Sequence, residues 1–310
     1  MPERPQPALD SRGLLLAFTA YLLWGSFPFY FKMLSAADPF EIIGHRVAWT
    51  FVFCLLGVLV TRQFGGLVTA LRSPKLFWGL TGAGVLVTAN WSIYVWGVLN
   101  DHIVDAALGY FINPLVTVSL AVFVLGERLR RAQVVALGVG ALAVIVITIG
   151  FGQVPWVALS LAFSFGFYGL AKKQLGAHVT PLVGLTIETA LLTPFALGFL
   201  TWLQVSGRSH FLSEGPGLTF GLAMAGAVTA IPLLLFAGAA QRIPLSTIGL
   251  IQYLTPTIQF MIGVLFNHEA MPTSRWIGFG LVWVALVVLT VDSLRAARGT
   301  DLVIEPEVMD

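Results

Sequence analysis

The chain has 310 residues, of which 57% are hydrophobic and only 10% are charged, and its formal net charge is +2. An ordinary soluble domain has about 25% charged residues, and a soluble chain of this length could not cover so much apolar surface. The composition therefore excludes a cytosolic enzyme, a disordered protein and a nucleic-acid-binding protein. We expect the lipid bilayer as its surroundings and no nucleic acid as a partner.

Stretches with few or no charged residues predict the membrane spans, because a transmembrane helix needs about 20 mostly apolar residues. In chain order the predicted spans cover residues 13–31, 42–61, 76–100, 106–126, two spans within 132–171, then 182–203, 215–241, 243–268 and 274–292. The stretch 132–171 is divided because Gly150, Gly152 and Pro155 lie in its middle. The sequence thus predicts an all-α polytopic membrane protein with ten transmembrane helices.

The distribution of lysine and arginine predicts the orientation of these helices. With ten spans both termini lie on one side, which then carries thirteen Lys and Arg residues against four on the other side. Cytoplasmic loops carry an excess of these residues. We therefore expect a cytoplasmic N-terminal tail, residues 1–11, and a cytoplasmic C-terminal tail, residues 295–310.

The sequence contains an internal repeat at a shift of 142 residues. LGYFINPLVTVSLAVFVLGE at 108–127 aligns with LIQYLTPTIQFMIGVLFNHE at 250–269. Three pairs of unusual residues coincide under this shift: Pro114 with Pro256, Glu127 with Glu269, and Arg46 with Glu188. A repeat of five helices is odd in number, so the second copy must enter the membrane from the opposite side, as in many secondary transporters. We predict two inverted five-helix repeats, residues 12–149 and 150–294.

Several stretches are similar to a known family. They are AYLLWGSFPFYFK (20–32), EIIGHRVAWTF (41–51), NWSIYVWGV (90–98), LGYFINPLV (108–116), LGERL (125–129), LAFSFGFYGLAKK (161–173), IET (187–189), STIGLIQYLTPT (246–257) and GLVWVAL (280–286). They resemble the EamA-type members of the drug/metabolite transporter superfamily, and its RarD group in particular, over about residues 12–294. The resemblance implies a multi-pass permease of the bacterial inner membrane with cytoplasmic termini.

Two ionisable residues, Arg46 and Glu188, stand out inside predicted spans, where a charge costs ~2.5–3.5 kcal/mol on insertion scales. We expect His45 and Arg46 to bind an anionic or carboxylate-bearing substrate, because a guanidinium pairs with a carboxylate through two hydrogen bonds. The alternatives are that Arg46 reaches out to the outer interface and that His45 only packs. Glu188 is the candidate proton carrier, because removal from water favours the neutral form of a carboxyl group.

Polar and aromatic residues within three spans are candidates for a substrate cavity. They are Asn90, Trp91 and Tyr94 in the third span, Tyr110 and Asn113 in the fourth, and Gln252, Tyr253 and Thr255 in the ninth. The repeat makes Tyr110 equivalent to Gln252. For the third span the alternative is an interhelical hydrogen bond from Asn90, with its tryptophans facing lipid.

Pro114 and Pro256 each remove a helical hydrogen bond, so we expect them to shape the cavity and to act as hinges. Glu127 and Glu269 fall at helix C-termini, where the helix dipole disfavours an anion. We expect both glutamates to have structural roles. Their expected partners are Arg130 or Arg131 for Glu127 and Arg275 for Glu269.

No GxxxxGK[ST], HExxH or GxSG motif is present, and no histidine has metal-ligand spacing with another ligand. We therefore expect no cofactor, no metal and no enzymatic activity. The leading hypothesis is a secondary transporter that moves a small organic metabolite or drug-like molecule by alternating access. Proton coupling and a homodimer stay open. A channel-like pore for small solutes and, less favoured, a membrane-embedded enzyme are the alternatives.

Overall fold

The computed structural model describes residues 10–126, 129–175, 179–240, 242–243 and 245–301, and every regular element among them is a helix. The helices of the first half are α1 (Ser11–Gly25), α2 (Phe27–Met33), α3 (Pro39–Val60), α4 (Phe64–Arg72), α5 (Pro74–Leu99), α6 (Ile103–Leu125) and α7 (Arg131–Phe151). Those of the second half are α8 (Trp156–Leu175), α9 (Pro181–Ala190), α10 (Thr193–Val205), α11 (Pro216–Ala240), α12 (Leu245–Ile251), α13 (Leu254–Met261) and α14 (Thr273–Asp301); α13 continues into a π-helix, Ile262–Phe266. The predicted all-helical membrane architecture is confirmed.

Three long helical segments begin with the same local signal. Asp38, Ser73 and Thr180 are each followed by proline, and each side-chain oxygen accepts a hydrogen bond from an N–H of the first helical turn. Such a cap satisfies a donor that has no partner within the helix. Proline suits the first helical position because its missing N–H is not needed there. These signals fix where α3, α5 and α9 begin.

Length and composition support fewer spans than the ten predicted. Among the described residues, eight helical segments are long and apolar enough to cross a membrane, or nine if α9 and α10, which bend by 50°, count as one. The remaining predicted span falls on α8, for which only a shorter apolar segment, Trp156–Lys172, is found among the described residues. The count of ten is therefore not confirmed.

The two predicted hinge prolines have different surroundings. Pro114 lies inside α6, which continues as one helix from Ile103 to Leu125. Pro256 lies in the first turn of α13, after the helix has already broken at Gln252 and Tyr253. A proline is tolerated in a first turn, so Pro256 lies at the start of a new helix segment, whereas Pro114 lies inside an unbroken helix. Their role as hinges stays a prediction.

The closest helix packing joins the two halves of the chain. α7 packs on α14, α6 and α5 on α8, and α3 and α1 on α11. Two of the contacts between halves bring backbones together at a glycine. A methyl group on Gly84 in α5 would overlap the carbonyl oxygen of Glu188 in α9, and one on Gly226 in α11 would overlap that of Trp49 in α3. These glycines allow the close approach that small residues give to membrane helices.

Candidate functional site

Arg46 lies inside the helix bundle, where its residue is only 4% exposed. Its Nε donates a hydrogen bond of 2.9 Å to the hydroxyl of Thr229 in α11. The Thr229 hydroxyl in turn donates to the carbonyl of Ala225, 2.8 Å away. A helix of the second half therefore holds the guanidinium of a helix in the first half, and the side chain does not extend to the outer interface.

Aromatic rings surround the guanidinium of Arg46. Its central carbon lies 4.3 Å from the ring centroid of Trp91, 5.3 Å from that of Phe31 and 5.7 Å from that of Phe27. A cation over an aromatic face is stabilised by the negative face of the ring, more strongly where water is excluded. The aromatic cluster continues from Phe31 to Tyr94, at 6.0 Å, and from Tyr94 to Tyr110, at 5.8 Å.

Two polar atoms of this cluster, Nη1 of Arg46 and the hydroxyl of Tyr94, are buried and have no hydrogen-bond partner among the described residues. Arg46 also has no acidic partner within that part of the chain. The other buried charged side chains there are paired: Glu41 with His210, Asp105 with Arg275, and Glu188 with Lys172. An unpaired buried charge is costly, so the Arg46 cluster is an electrostatically incomplete site.

Asn90 connects this cluster to the second half of the chain. Its Nδ2 donates to the carbonyl of Leu161, 3.1 Å away, and to the hydroxyl of Ser164, 3.0 Å away, both in α8. Its Oδ1 accepts from the hydroxyl of Tyr110 at 3.4 Å. Asn90 thus makes the interhelical hydrogen bonds of the alternative interpretation, and it also orients a ring of the aromatic cluster.

Glu188 is fully buried at the end of α9 and forms a second polar centre. Its Oε1 lies 2.5 Å from Nζ of Lys172, and its Oε2 accepts from the hydroxyl of Tyr168 at 3.1 Å. Both partners lie on α8. The predicted spans within 132–171 end before Lys172, so the sequence analysis missed this ion pair. Its signal was available, because Tyr168 and Lys172 are one helical turn apart and share a face.

Glu41, which the sequence analysis overlooked, is fully buried in the first turn of α3. It accepts hydrogen bonds from the Ser209 hydroxyl at 2.9 Å and from the N–H groups of His210 and Phe211 at 2.8 and 3.2 Å. Its other oxygen lies 2.7 Å from Nδ1 of His210. Glu41 therefore fastens the loop 206–215 to α3.

His45, one turn further along α3, packs against the same loop. Its ring contacts that of Phe211 in a tilted arrangement, with centroids 4.6 Å apart. Its Nε2 is buried and has no hydrogen-bond partner among the residues described. Although His45 is next to Arg46 in sequence, its ring packs against this loop.

A separate polar network joins the ends of α2, α5, α6 and α14. Lys32 lies 2.6 Å from Asp101, and this hydrogen bond lowers the pKa of Asp101 below its ordinary value. Arg275 donates to both oxygens of Asp105 at 3.0 and 3.2 Å. Glu269, for which Arg275 was the expected partner, accepts from the first N–H groups of α6 at 2.6 and 2.9 Å. Burial raises the pKa of the Glu269 carboxyl above its ordinary value.

The remaining candidates do not join the Arg46 cluster. Asn113 accepts a hydrogen bond from Thr117 of its own helix, and Thr255 donates to the carbonyl of Tyr21. Tyr253 packs on a separate apolar cluster of α6 and α14, and Gln252 is half-buried at the break before α13. Glu127 lies outside the described residues.

Sequence reasoning also missed Gln259, which is 2% exposed and donates to the carbonyl of Trp24 at 3.2 Å. Its signal was a polar amide in an apolar span, the same signal that singled out Asn90.

Comparison with known proteins gives the family of this chain. The model of the EamA-like transporter family matches twice, at residues 11–149 and 154–291. The chain belongs to this EamA-like transporter family. It is therefore a multi-pass membrane protein of a transporter family, as the resemblance implied. Arg46 lies in the first matched segment and Glu188 in the second.

Several relatives are similar along nearly their whole length. Protein RarD of Streptomyces exfoliatus is 50% identical over 287 residues, 92% of this chain and 90% of the relative. An uncharacterized transporter of Vibrio cholerae is 42% identical over 93% of this chain and 95% of its own length. Protein RarD of Escherichia coli K12 is 40% identical, covering 93% and 97%. One solved crystal structure shares the fold, with a TM-score of 0.57 at 20% identity over 91% of this chain and 98% of that chain.

Proposed function

We propose that the protein is a secondary transporter that moves a small organic metabolite or drug-like molecule across the bacterial inner membrane by alternating access. The observation that carries this proposal is the buried polar centre shared by both halves. Arg46 of the first half donates to Thr229 of the second, and Asn90 donates to Leu161 and Ser164. Transporters with repeated halves bind substrate near the middle of the membrane, where the halves meet.

Repeated contacts between the halves support the inverted arrangement. Gly84 and Gly226 are 142 residues apart, and each is the point where its helix meets the backbone of a helix from the other half. A second pair behaves in the same way. A Cβ on Gly25 would lie 2.9 Å from Ile258, and one on Gly166 would lie 2.9 Å from Val116, whose position plus 142 is 258. An exchange of the two repeats carries each contact to within three residues of its counterpart, which is about one helical turn and is what a pseudo-two-fold axis would give.

The proposed topology has ten spans. It counts α1–α2, α9–α10 and α12–α13 with the π-helix as one broken span each, and it counts α8 as a full span. Broken helices are tolerated in transporters where protein or an internal cavity surrounds them. With this count the excess of Lys and Arg on one side supports cytoplasmic termini.

We further propose that Glu188 couples transport to protons. Its ion pair with Lys172 lies between α9 and α8, and protonation of the carboxylate would remove the charge that holds Lys172. The two helices would then be freer to separate. The variant Glu188→Gln should retain binding but lose the dependence of transport on a pH gradient. Gradient-driven uptake by this variant at the wild-type rate would contradict the assignment.

Counterflow in proteoliposomes tests the transporter proposal. Vesicles preloaded with unlabelled 3-phenylpropanoate or an unlabelled amino acid are diluted into the same compound in labelled form. A carrier gives saturable uptake that the internal compound accelerates. Each unlabelled molecule that leaves the vesicle brings the binding site to the outside, where the labelled compound can bind. Uptake that rises linearly with concentration and ignores the internal compound would indicate a channel-like pore.

A further inference from the structure

We infer that the site around Arg46 takes an organic monoanion, a carboxylate carried by a flat apolar body, and that it discriminates against the matching zwitterion and amine. We call Arg46, Tyr94, Trp91, Phe31 and Thr229 the anion site. The inference rests on the proposed function, because it names the substrate class of the site that a transporter would use. It goes beyond that function by stating the charge of the substrate.

The charge follows from what Arg46 lacks. The guanidinium is inside the bundle, and its contacts with described residues are one neutral hydroxyl and three aromatic rings. Aromatic rings stabilise a cation without neutralising it. Within the described ranges one other cationic side chain, that of Arg275, is buried, and it has a carboxylate partner. A site that keeps one buried positive charge uncompensated is suited to a ligand that brings one negative charge.

The donors specify a carboxylate. Nη1 of Arg46 and the hydroxyl of Tyr94 are buried donors with no acceptor among the described residues, and both side chains pack against Phe31. Charge-assisted hydrogen bonds to a carboxylate are shorter and stronger than neutral ones. Thr229 is the positioning residue, because it takes the Nε hydrogen bond and so leaves Nη1 for the ligand.

The body of the ligand follows from the walls. Trp91, Phe31 and Phe27 lie around the guanidinium, and Tyr94 meets Phe31 edge to face. Strongly hydrated inorganic anions would lose their water here without enough donors to replace it. A flat apolar body would instead bury its surface against the rings and stack on them. The rings therefore favour an aromatic or similarly planar carboxylate.

Discrimination against zwitterions follows from the pairing of the buried glutamates. An ammonium group on the substrate would need a carboxylate of its own. Glu41 already accepts from Ser209, His210 and Phe211, and Glu188 is paired with Lys172. Neither has a free charge to offer, so the ammonium group would be desolvated beside the positive guanidinium.

Four compounds with one skeleton test the inference: 3-phenylpropanoate, L-phenylalanine, 3-phenylpropanamide and 3-phenylpropylamine. Binding to the purified full chain in detergent is measured by isothermal titration calorimetry. We expect the carboxylate to bind at least about tenfold more tightly than each of the others, since a lost charged hydrogen bond of this kind is worth a factor of ten or more. Equal or tighter binding of the zwitterion or the amine overturns the inference, and so does absence of carboxylate binding.

Three variants assign the effect to the site. Arg46→Gln should abolish the preference for the carboxylate. Tyr94→Phe should weaken carboxylate binding about tenfold and leave thermal stability unchanged, because its hydroxyl has no partner to lose. The matched control is Tyr30→Phe, which loses a hydrogen bond of 2.8 Å to the carbonyl of Gly221 and should lower stability without changing the preference. Undiminished binding to folded Tyr94→Phe contradicts the assignment.

The outcomes separate this inference from the proposed function. If the carboxylate binds but shows no counterflow, the anion site stands and the carrier proposal fails. If the zwitterion or the amine binds as well as the carboxylate and is carried, the carrier proposal stands and the anion inference fails.

Discussion

The contact between Gly84 and Glu188 gives a prediction that the structure quantifies. An alanine Cβ at position 84 would overlap the carbonyl oxygen of Glu188 and lie 2.9 and 3.0 Å from its carbonyl carbon and Cα. These are backbone atoms, which are unable to rotate away, so α5 and α9 must move apart. Overpacking of this kind costs about 1–3 kcal/mol.

A second substitution in the same helix isolates this cost. Gly82 also lies in α5, and a Cβ there meets no atom within 4 Å. Alanine is favoured over glycine in a helix by up to about 1 kcal/mol, and both variants receive this gain. The difference between the free energies of unfolding of Gly82→Ala and Gly84→Ala is therefore the overpacking cost itself, about 1–3 kcal/mol.

The measurement is unfolding in mixed micelles by titration with sodium dodecyl sulfate, followed by tryptophan fluorescence. We expect Gly82→Ala to be as stable as the original chain or more stable, and Gly84→Ala to be less stable. The repeat predicts the same loss for Gly226→Ala, whose Cβ would overlap the carbonyl oxygen of Trp49. Equal stability of the two α5 variants would refute the close packing of α5 on α9.

Three further predictions concern the acidic residues near the helix ends. Asp105→Asn breaks a buried pair with Arg275 and should lower the free energy of unfolding by about 3–5 kcal/mol, against less than about 1 kcal/mol for the exposed Asp101→Asn. Glu41→Gln should cost about 1.5–3 kcal/mol and speed hydrogen exchange in the loop 206–215. The raised pKa of Glu269 means that its contribution to stability is complete below the ordinary value of 4.5 and is lost as pH rises. The melting temperature of the original chain should therefore fall relative to that of Glu269→Gln as pH rises.

Each of these three predictions has an outcome that would contradict it. Equal losses for Asp105→Asn and Asp101→Asn would mean that the Arg275 pair is exposed to water. Unchanged exchange in the loop 206–215 would mean that Glu41 does not hold it. A melting temperature of the original chain that rises relative to that of Glu269→Gln as pH rises would reverse the sign derived from burial.

The sequence predicted the helical membrane architecture because uninterrupted apolar stretches of span length have few other structures available. It also identified Arg46 and Glu188, because a charge inside such a stretch is rare. It did not predict what they contact. Thr229 and Lys172 are ordinary residues in their own helices, and only the packing of α11 on α3 and of α8 near α9 brings them to Arg46 and Glu188.

Residues at helix ends were harder to assign. Glu41 lies one residue before the predicted span 42–61 and was overlooked, but it is fully buried and binds the loop 206–215. Loop closures of this kind depend on contacts between residues far apart in the chain, which no local pattern encodes. For the same reason the sequence analysis did not foresee that Arg275 pairs with Asp105, 170 residues away.

Access to the Arg46 cluster from the two sides of the membrane tests alternating access most directly. The substitution Cys54→Ser removes the buried native cysteine. The substitution Tyr94→Cys then places a single cysteine in the Arg46 cluster. A membrane-impermeant thiol reagent is then applied to right-side-out and to inside-out vesicles. The account predicts labelling of position 94 from both sides; labelling from only one side, or from neither, would contradict it.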